Sequence, residues 1–204
     1  MHAHISRYEI QPGRIEERLR HHRDVVAPAT RQRSGHRGVI ILIDRTTHKN
    51  LTVVLWDSEA DLRAAEQDPE FRTPHSHRRF AAGEFTTEYY EVAQVELPPD
   101  SGAGAPGVAW LTRFTVQPGR FDERLRFSRE QMFPAARDVP GHQGALLFAD
   151  RANEHTVAIA LWRSAADIEA AADNAGYEDL RPHHHFAAGP VTHEQFEIAH
   201  YGLH

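Results

Sequence analysis

The sequence predicts an α+β protein: two tandem ferredoxin-like (βαββαβ) repeats, packed sheet-to-sheet within one chain as an intramolecular version of a two-subunit α/β barrel. Three observations carry this expectation. Sliding the chain on itself by about 106 residues aligns its halves without a gap, and roughly 36 of some 95 paired positions are identical, the mark of a duplication. Within each half, stretches of period-two apolar alternation and stretches of helical period follow one another in the order βαββαβ. A four-stranded antiparallel sheet of that order takes helices on one face and leaves an apolar face bare, and the other repeat is the available cover. The expected boundaries are 1–97 for the first repeat, 98–106 for a linker and 107–204 for the second. The linker is read from the composition of Pro98-Pro99-Asp100-Ser101-Gly102-Ala103-Gly104-Ala105-Pro106.

Each element has a local reason. Residues about 3–11 alternate as a strand that Pro12-Gly13 ends, with Gln117-Pro118-Gly119-Arg120 repeating Gln11-Pro12-Gly13-Arg14. Apolar groups at Ile15, Leu19, Val26 and Ala29 with charges between them predict an amphipathic helix over about 14–31. Glu16, Glu17, Arg18 and Arg20 read as its solvated face. Gly35-His36-Arg37-Gly38, matched by Gly141-His142-Gln143-Gly144, opens a strand over about 37–44, and the glycine-flanked histidines read as shaping that turn. A polar turn leads to a third strand over 51–56. Ser58 and Asp61 then stand three apart before an alanine-rich run, as do Ser164 and Asp167, the capping-box spacing of a helix start. That helix is expected over Glu59–Gln67, a further helical stretch over about 70–82, and a closing strand over about 85–96. Glu88, Glu91, Glu194 and Glu197 in the closing strands, with Arg7 and Arg113 in the opening ones, read as cross-strand charge pairs.

Composition narrows the function. The chain of 204 residues has a net charge of −6 and a sequence pI near 6.2, without a basic stripe interleaved with aromatics, so a nucleic-acid partner is not expected. It has no cysteine, which excludes thiolate nucleophiles, thiolate metal sites and disulfides. No apolar run approaches the roughly 18 residues of a membrane span. Met1-His2-Ala3-His4-Ile5 enters strand alternation directly, without a signal peptide's apolar core, and the expected location is cytoplasmic.

The Gly-His-x-Gly before strand two, the strand-three tryptophan followed by Ser-x-x-Asp, and the segment 71–80 resemble the antibiotic biosynthesis monooxygenase superfamily of dimeric α/β barrels, once per repeat. That resemblance implies small-molecule chemistry, most directly cofactor-independent monooxygenation of an aromatic or polyketide-like substrate. It also admits polyketide cyclisation, haem degradation, or a non-catalytic ligand-binding module. The pocket tryptophan of the oxygenases is matched by Trp56 and Trp162. Their asparagine four residues earlier is replaced by Thr52 and Ala158. The axial histidine of the haem-degrading branch is matched by His75, but by Arg181 in the second repeat. Its strand-one asparagine is replaced by Ser6 and Thr112, and its helix tryptophan by Ala65 and Ala171. No cofactor is therefore expected, with haem on His75 as the alternative. The implied assembly is a monomeric pseudo-dimer, with further association into a homodimer left open.

Taken from the residues alone, Trp56 and Trp162 are either core rings sealing a strand-to-helix hinge or pocket walls. Alternation places Thr52, Val54 and Trp56 on one face, against Ala158, Ala160 and Trp162 in the second repeat, so the roomier cavity is expected beside Trp162. His77 and His183 are equivalent across the repeats. They read either as hydrated surface groups or as a general base, since a reference pKa of about 6.5 suits proton removal near neutrality. The His75/His77 and His183/His185 spacings lack the i, i+4 relation of helical metal ligands, and no metal site is expected.

Overall fold

The computed structural model describes residues 1–69, 77–96, 105–173, 179 and 181–203. Within these the chain is α+β, and its eight strands hydrogen-bond in the closed order β1-β3-β2-β8-β5-β7-β6-β4. The strands are β1 (His2–Ile10), β2 (His36–Ile43), β3 (Lys49–Trp56), β4 (Ala81–Glu96), β5 (Val108–Thr115), β6 (His142–Asp150), β7 (His155–Trp162) and β8 (Thr192–Leu203). The helices are α1 (Ile15–His21), α2 (Ala27–Arg31), α3 (Glu59–Gln67), α4 (Phe121–Phe127), α5 (Phe133–Arg137), α6 (Ala165–Ala172) and α7 (Pro182–Phe186). Both halves follow the predicted element order, and α3 has the bounds that the capping pattern sets. The second helical stretch of the first repeat lies largely outside the described residues. What is described of it is a 3₁₀ turn, His77–Phe80, after which β4 starts earlier than alternation suggested.

Contacts divide the chain into two compact units, Met1–Tyr90 with Glu197–His204, and Glu91–Phe196. These differ from the sequence repeats at their ends, because β4 and β8 are long strands that each belong to one unit in their first part and to the other in their second. In the first unit β1 and β2 flank β3, and the end of β8 pairs with β2, from Gly38 opposite Leu203 to Ile43 opposite Glu197. In the second, β5 and β6 flank β7, and the end of β4 pairs with β6, from Glu91 opposite Ala149 to Glu96 opposite Ala145.

The predicted first helix is broken by a π-helical turn, His22–Val26 in one unit and Ser128–Met132 in the other. Proline explains it. Pro28 and Pro134 have no N–H for the carbonyl four residues back, and the ring would clash with that carbonyl in an α-turn. The chain widens instead, so that the Ala27 and Phe133 amides donate to the carbonyls of His22 and Ser128, five residues back.

Two readings of charge are corrected. Arg18 is fully buried rather than solvated, as is its counterpart Arg124. Glu91 and Glu197 pair with arginines of the β-turns, not with opposing strand residues: Arg151 reaches Glu91 at 3.0 Å and Asp122 at 2.7 Å, and Arg45 reaches Glu197 and Glu16, each at 2.7 Å. These sites are half exposed and hydrated, so such pairs locate the turns more than they stabilise the fold.

Candidate functional site

Trp56 and Trp162 end β3 and β7, each opposite a histidine of the next strand, His36 and His142. The histidine ring meets the indole edge-on, with centroids 5.4 Å apart in the first unit and 5.2 Å in the second. The glycine-flanked histidines thus brace the tryptophans as well as shaping a turn. Burial pushes His142 down to about 4. Because the folded protein keeps this ring neutral while the unfolded chain protonates it near 6.5, stability falls as pH drops through that interval and levels off below about 4. The expected loss reaches about 3 kcal/mol. Denaturant titrations from pH 7 to pH 4 check it, and His142→Gln should flatten the dependence.

Beyond this shared frame the units diverge. Trp56 is fully buried and packs with Val39, Val54, Leu62 and Ala65 in the core under α3. Trp162 is also buried, but one side of it borders a pocket between the sheet of the second unit and its helices. β5 contributes Trp110, Thr112 and Phe114 to this pocket, β6 Ala145, and β7 Ala158, Ala160 and Trp162. Arg124, Ser128 and Met132, four residues apart along one helix face, close it from α4 and the π-turn. Ile168 of α6 and Arg181, Pro182 and His183 at the start of α7 complete the wall. The pocket encloses about 630 Å³ of empty space, its mouth included, of which about 50 Å³ is open to the centre of a water molecule. The latter is several times the roughly 10–15 Å³ that one water needs.

A cavity borders Trp162, as the small residues of its strand face led one to expect, and the side chains around it account for its space. At the positions where the second unit has Ala145, Ala158, Ala160 and Ser128, the first has Val39, Thr52, Val54 and His22. Four side chains shrink around one ring.

The polar groups gather at two levels. At the rim, the rings of His183 and His193 lie 4.9 Å apart, His193 Nδ1 is 3.2 Å from Thr112 Oγ1, and Trp110 stacks on His193 at 5.7 Å. Deeper in, Arg124 is 1% exposed, its guanidinium 5.3 Å from the Phe114 ring centroid, and it donates through Nη1 to Ser128 Oγ. Burial pulls this guanidinium down to about 9, and it stays charged at neutral pH. Aspartate and glutamate are absent from the described lining, so the pocket is cationic on an otherwise apolar wall.

Of the predicted site residues, Trp162 and His183 come together in this pocket. Trp56 and His77 are in the other unit, His77 half-buried in the 3₁₀ turn. His75 lies outside the described residues. Its counterpart Arg181 lines the pocket, and a guanidinium has no lone pair for iron, so the residues described here do not fit axial haem ligation at that position. Among the described residues there is no group of three or more histidines and carboxylates arranged to hold a metal. Nor is any described helix long and apolar enough to cross a membrane. Sequence reasoning missed Trp110 and Arg124. The Trp110 signal was visible as a tryptophan where the first repeat has His4. For Arg124, the charged run Glu-Arg-Leu-Arg hid one inward-pointing member.

The antibiotic biosynthesis monooxygenase family model matches residues 1–76. Among curated proteins, the uncharacterized protein Rv2558 of Mycobacterium tuberculosis is 26% identical over 151 residues, covering 74% of this chain and 62% of that protein. The chain thus spans about three fifths of that relative's length. Rv2557 of the same organism is 24% identical over 166 residues, covering 80% and 72%. Among solved structures, a candidate monooxygenase from Fusobacterium nucleatum superposes with a TM-score of 0.74 at 12% identity, covering 100% of this chain and 92% of its own. An anthrone oxidase-like protein superposes at 0.70 with 19% identity, covering 98% and 93%. At these identities the structures establish the fold. The first repeat thus matches the antibiotic biosynthesis monooxygenase family model, and the chain as a whole resembles proteins of that superfamily in fold, as a tandem-repeat α/β barrel.

Proposed function

We propose that the second unit is the catalytic one and that it oxygenates a small aromatic or polyketide-like molecule without a cofactor. The observation that carries this reading is the Trp162 pocket: an apolar cleft between sheet and helices, lined by a few polar groups, as small-molecule sites are. His183 at the rim is the general base. It takes a proton from an activated CH₂ or phenol, leaving an electron-rich carbanion or phenolate. That anion reduces O₂ itself. A carbon–oxygen bond forms, two C–H protons are lost as the carbon becomes a carbonyl, and the second oxygen leaves as water, so all four electrons that O₂ takes up come from the substrate. Trp162 and Trp110 supply flat walls for a planar substrate and exclude water from the anion. The first unit, with its pocket positions enlarged, supports the fold.

Oxygen uptake with anthrone as substrate tests the proposal. Trp162→Phe should lower kcat/KM about tenfold, and His183→Ala about 100-fold or more with a lost basic limb in the pH profile. Trp56→Phe should leave uptake near the parent value. Anthrone that binds without oxygen consumption would make the protein a ligand carrier and end the oxygenase reading.

A further inference from the structure

The two units place the same arginine in the same helix and give it different neighbours. Arg18 in the first unit is 0% exposed, and two of its nitrogens have hydroxyl acceptors: Nε donates to the Tyr8 hydroxyl at 2.7 Å and Nη2 to Thr52 Oγ1 at 3.1 Å, while Nη1 keeps no partner. Asn50 Nδ2 donates to the same Thr52 oxygen at 3.1 Å, fixing the acceptor. In the second unit both acceptors are gone, because Phe114 stands where Tyr8 would and Ala158 where Thr52 would. Arg124 is therefore left with one described hydrogen bond, to Ser128, and its Nε has no partner. The lost hydroxyls also vacate space, and Phe114 and Ala158 both line the pocket that Arg124 borders.

A buried cation without a carboxylate and with an idle N–H is costly, because its hydration has been removed and not replaced. A packing accident would favour an apolar side chain here. The first unit holds the internal solution to this problem, and the second has discarded it at two positions while opening a cavity at the same spot. Arg181 adds a second guanidinium to the lining, which holds no described aspartate or glutamate. What fits is an acceptor that arrives with the ligand. The planar fork of Arg124 suits two oxygens or one ionised oxygen, in place of the two hydroxyls that Arg18 meets in the first unit.

We propose that Arg124 is the ligand-binding residue of the second unit and that it takes the anionic oxygen of a planar aromatic acid: a carboxylate, or the phenolate or enolate form of a fused-ring phenol. This rests on the assignment of the pocket as the small-molecule site and names the class it selects. In an oxygenation the same contact holds the substrate oxygen as charge develops there. Binding itself requires no turnover, so the two ideas separate experimentally.

The test is titration of the intact protein with 2-naphthoate and with its neutral isostere 2-naphthamide, followed by calorimetry. The parent should bind the naphthoate at least tenfold more tightly than the amide, with an affinity that weakens as salt rises. Arg124→Met should abolish the preference while leaving amide binding within about twofold. The paired variant Phe114→Tyr with Ala158→Thr rebuilds the acceptors of the first unit and keeps the charge. It should melt at a higher temperature than the parent and lose the naphthoate preference, which keeps the test intact if Arg124→Met does not fold. Equal affinities in the parent, or a preference that survives the paired variant, would overturn the proposal. An anion preference without any anthrone-dependent oxygen uptake would leave the proposal standing and remove the oxygenase assignment instead.

Discussion

Trp56→Ala is expected to remove about 3–5 kcal/mol of stability, the usual range for emptying a fully buried aromatic site. The indole has no exposed side: Val39, Val54, Leu62 and Ala65 pack with it, and His36 meets its edge. Collapse around the vacancy is restricted, because the residues on two sides belong to hydrogen-bonded strands. Trp162→Ala removes the same atoms but enlarges an existing hollow, so its stability loss should be about half as great. The functional ranking is reversed, with Trp162→Ala losing ligand binding and Trp56→Ala retaining it wherever the protein stays folded. Thermal denaturation of both variants, with naphthoate titration at a temperature well below the transitions, measures the two rankings. Equal stability losses would contradict the division of labour between the units.

Gly141→Ala should destabilise the protein by about 3 kcal/mol, combining backbone strain with overpacking. Gly141 has φ +84°, and a β-carbon there would lie 2.3 Å from Asp167 Cγ. Asp167 cannot step aside cheaply. Its amide donates to Ser164 Oγ at 3.3 Å, its carboxylate accepts from the Ser164 hydroxyl, and Arg163 Nε lies 3.1 Å from it. The glycine is therefore the point where the turn into β6 presses on the cap of α6. Gly35 repeats the arrangement against Asp61, at φ +72° and 2.4 Å, and Gly35→Ala should behave alike. For a chain of this size the loss corresponds to a fall in Tm of roughly 6–12 °C. A shift under about 2 °C would show that the cap yields and the contact is soft.

These glycines show why much of the fold was readable. Turn glycines, Ser-x-x-Asp caps and period-two strands are local signals, and the duplication states each of them twice. The helix start at Glu59 followed from two side chains, Ser58 and Asp61. The π-turns did not, although Pro28 and Pro134 were in plain view: a proline in a helical pattern announces a break, and only the packed backbone decides whether the helix ends, kinks or widens. Charge was the weaker guide. An arginine between glutamates reads as solvated, and nothing local distinguishes Arg18 from Arg20. What separates them is the direction each takes from the helix, toward Tyr8 and Thr52 or away. The cavity was legible in Ala158 and Ala160 because volume lost on one strand face needs no tertiary knowledge. The coupling between that loss and Arg124 lies between residues far apart in sequence, and appeared only when strand and helix were seen together.

The strand exchange has a consequence for biosynthesis. The edge of β2 is paired by Gly202, Tyr201 and their neighbours, which follow the other strands of the second unit in sequence, so the first unit remains unfinished while the ribosome is still translating the second. A nascent chain at that stage presents a bare, strongly apolar ribbon, Val39-Ile40-Ile41-Leu42-Ile43, to whatever lies nearby. Stalling or truncating translation late should therefore be more harmful to this protein than its internal symmetry suggests.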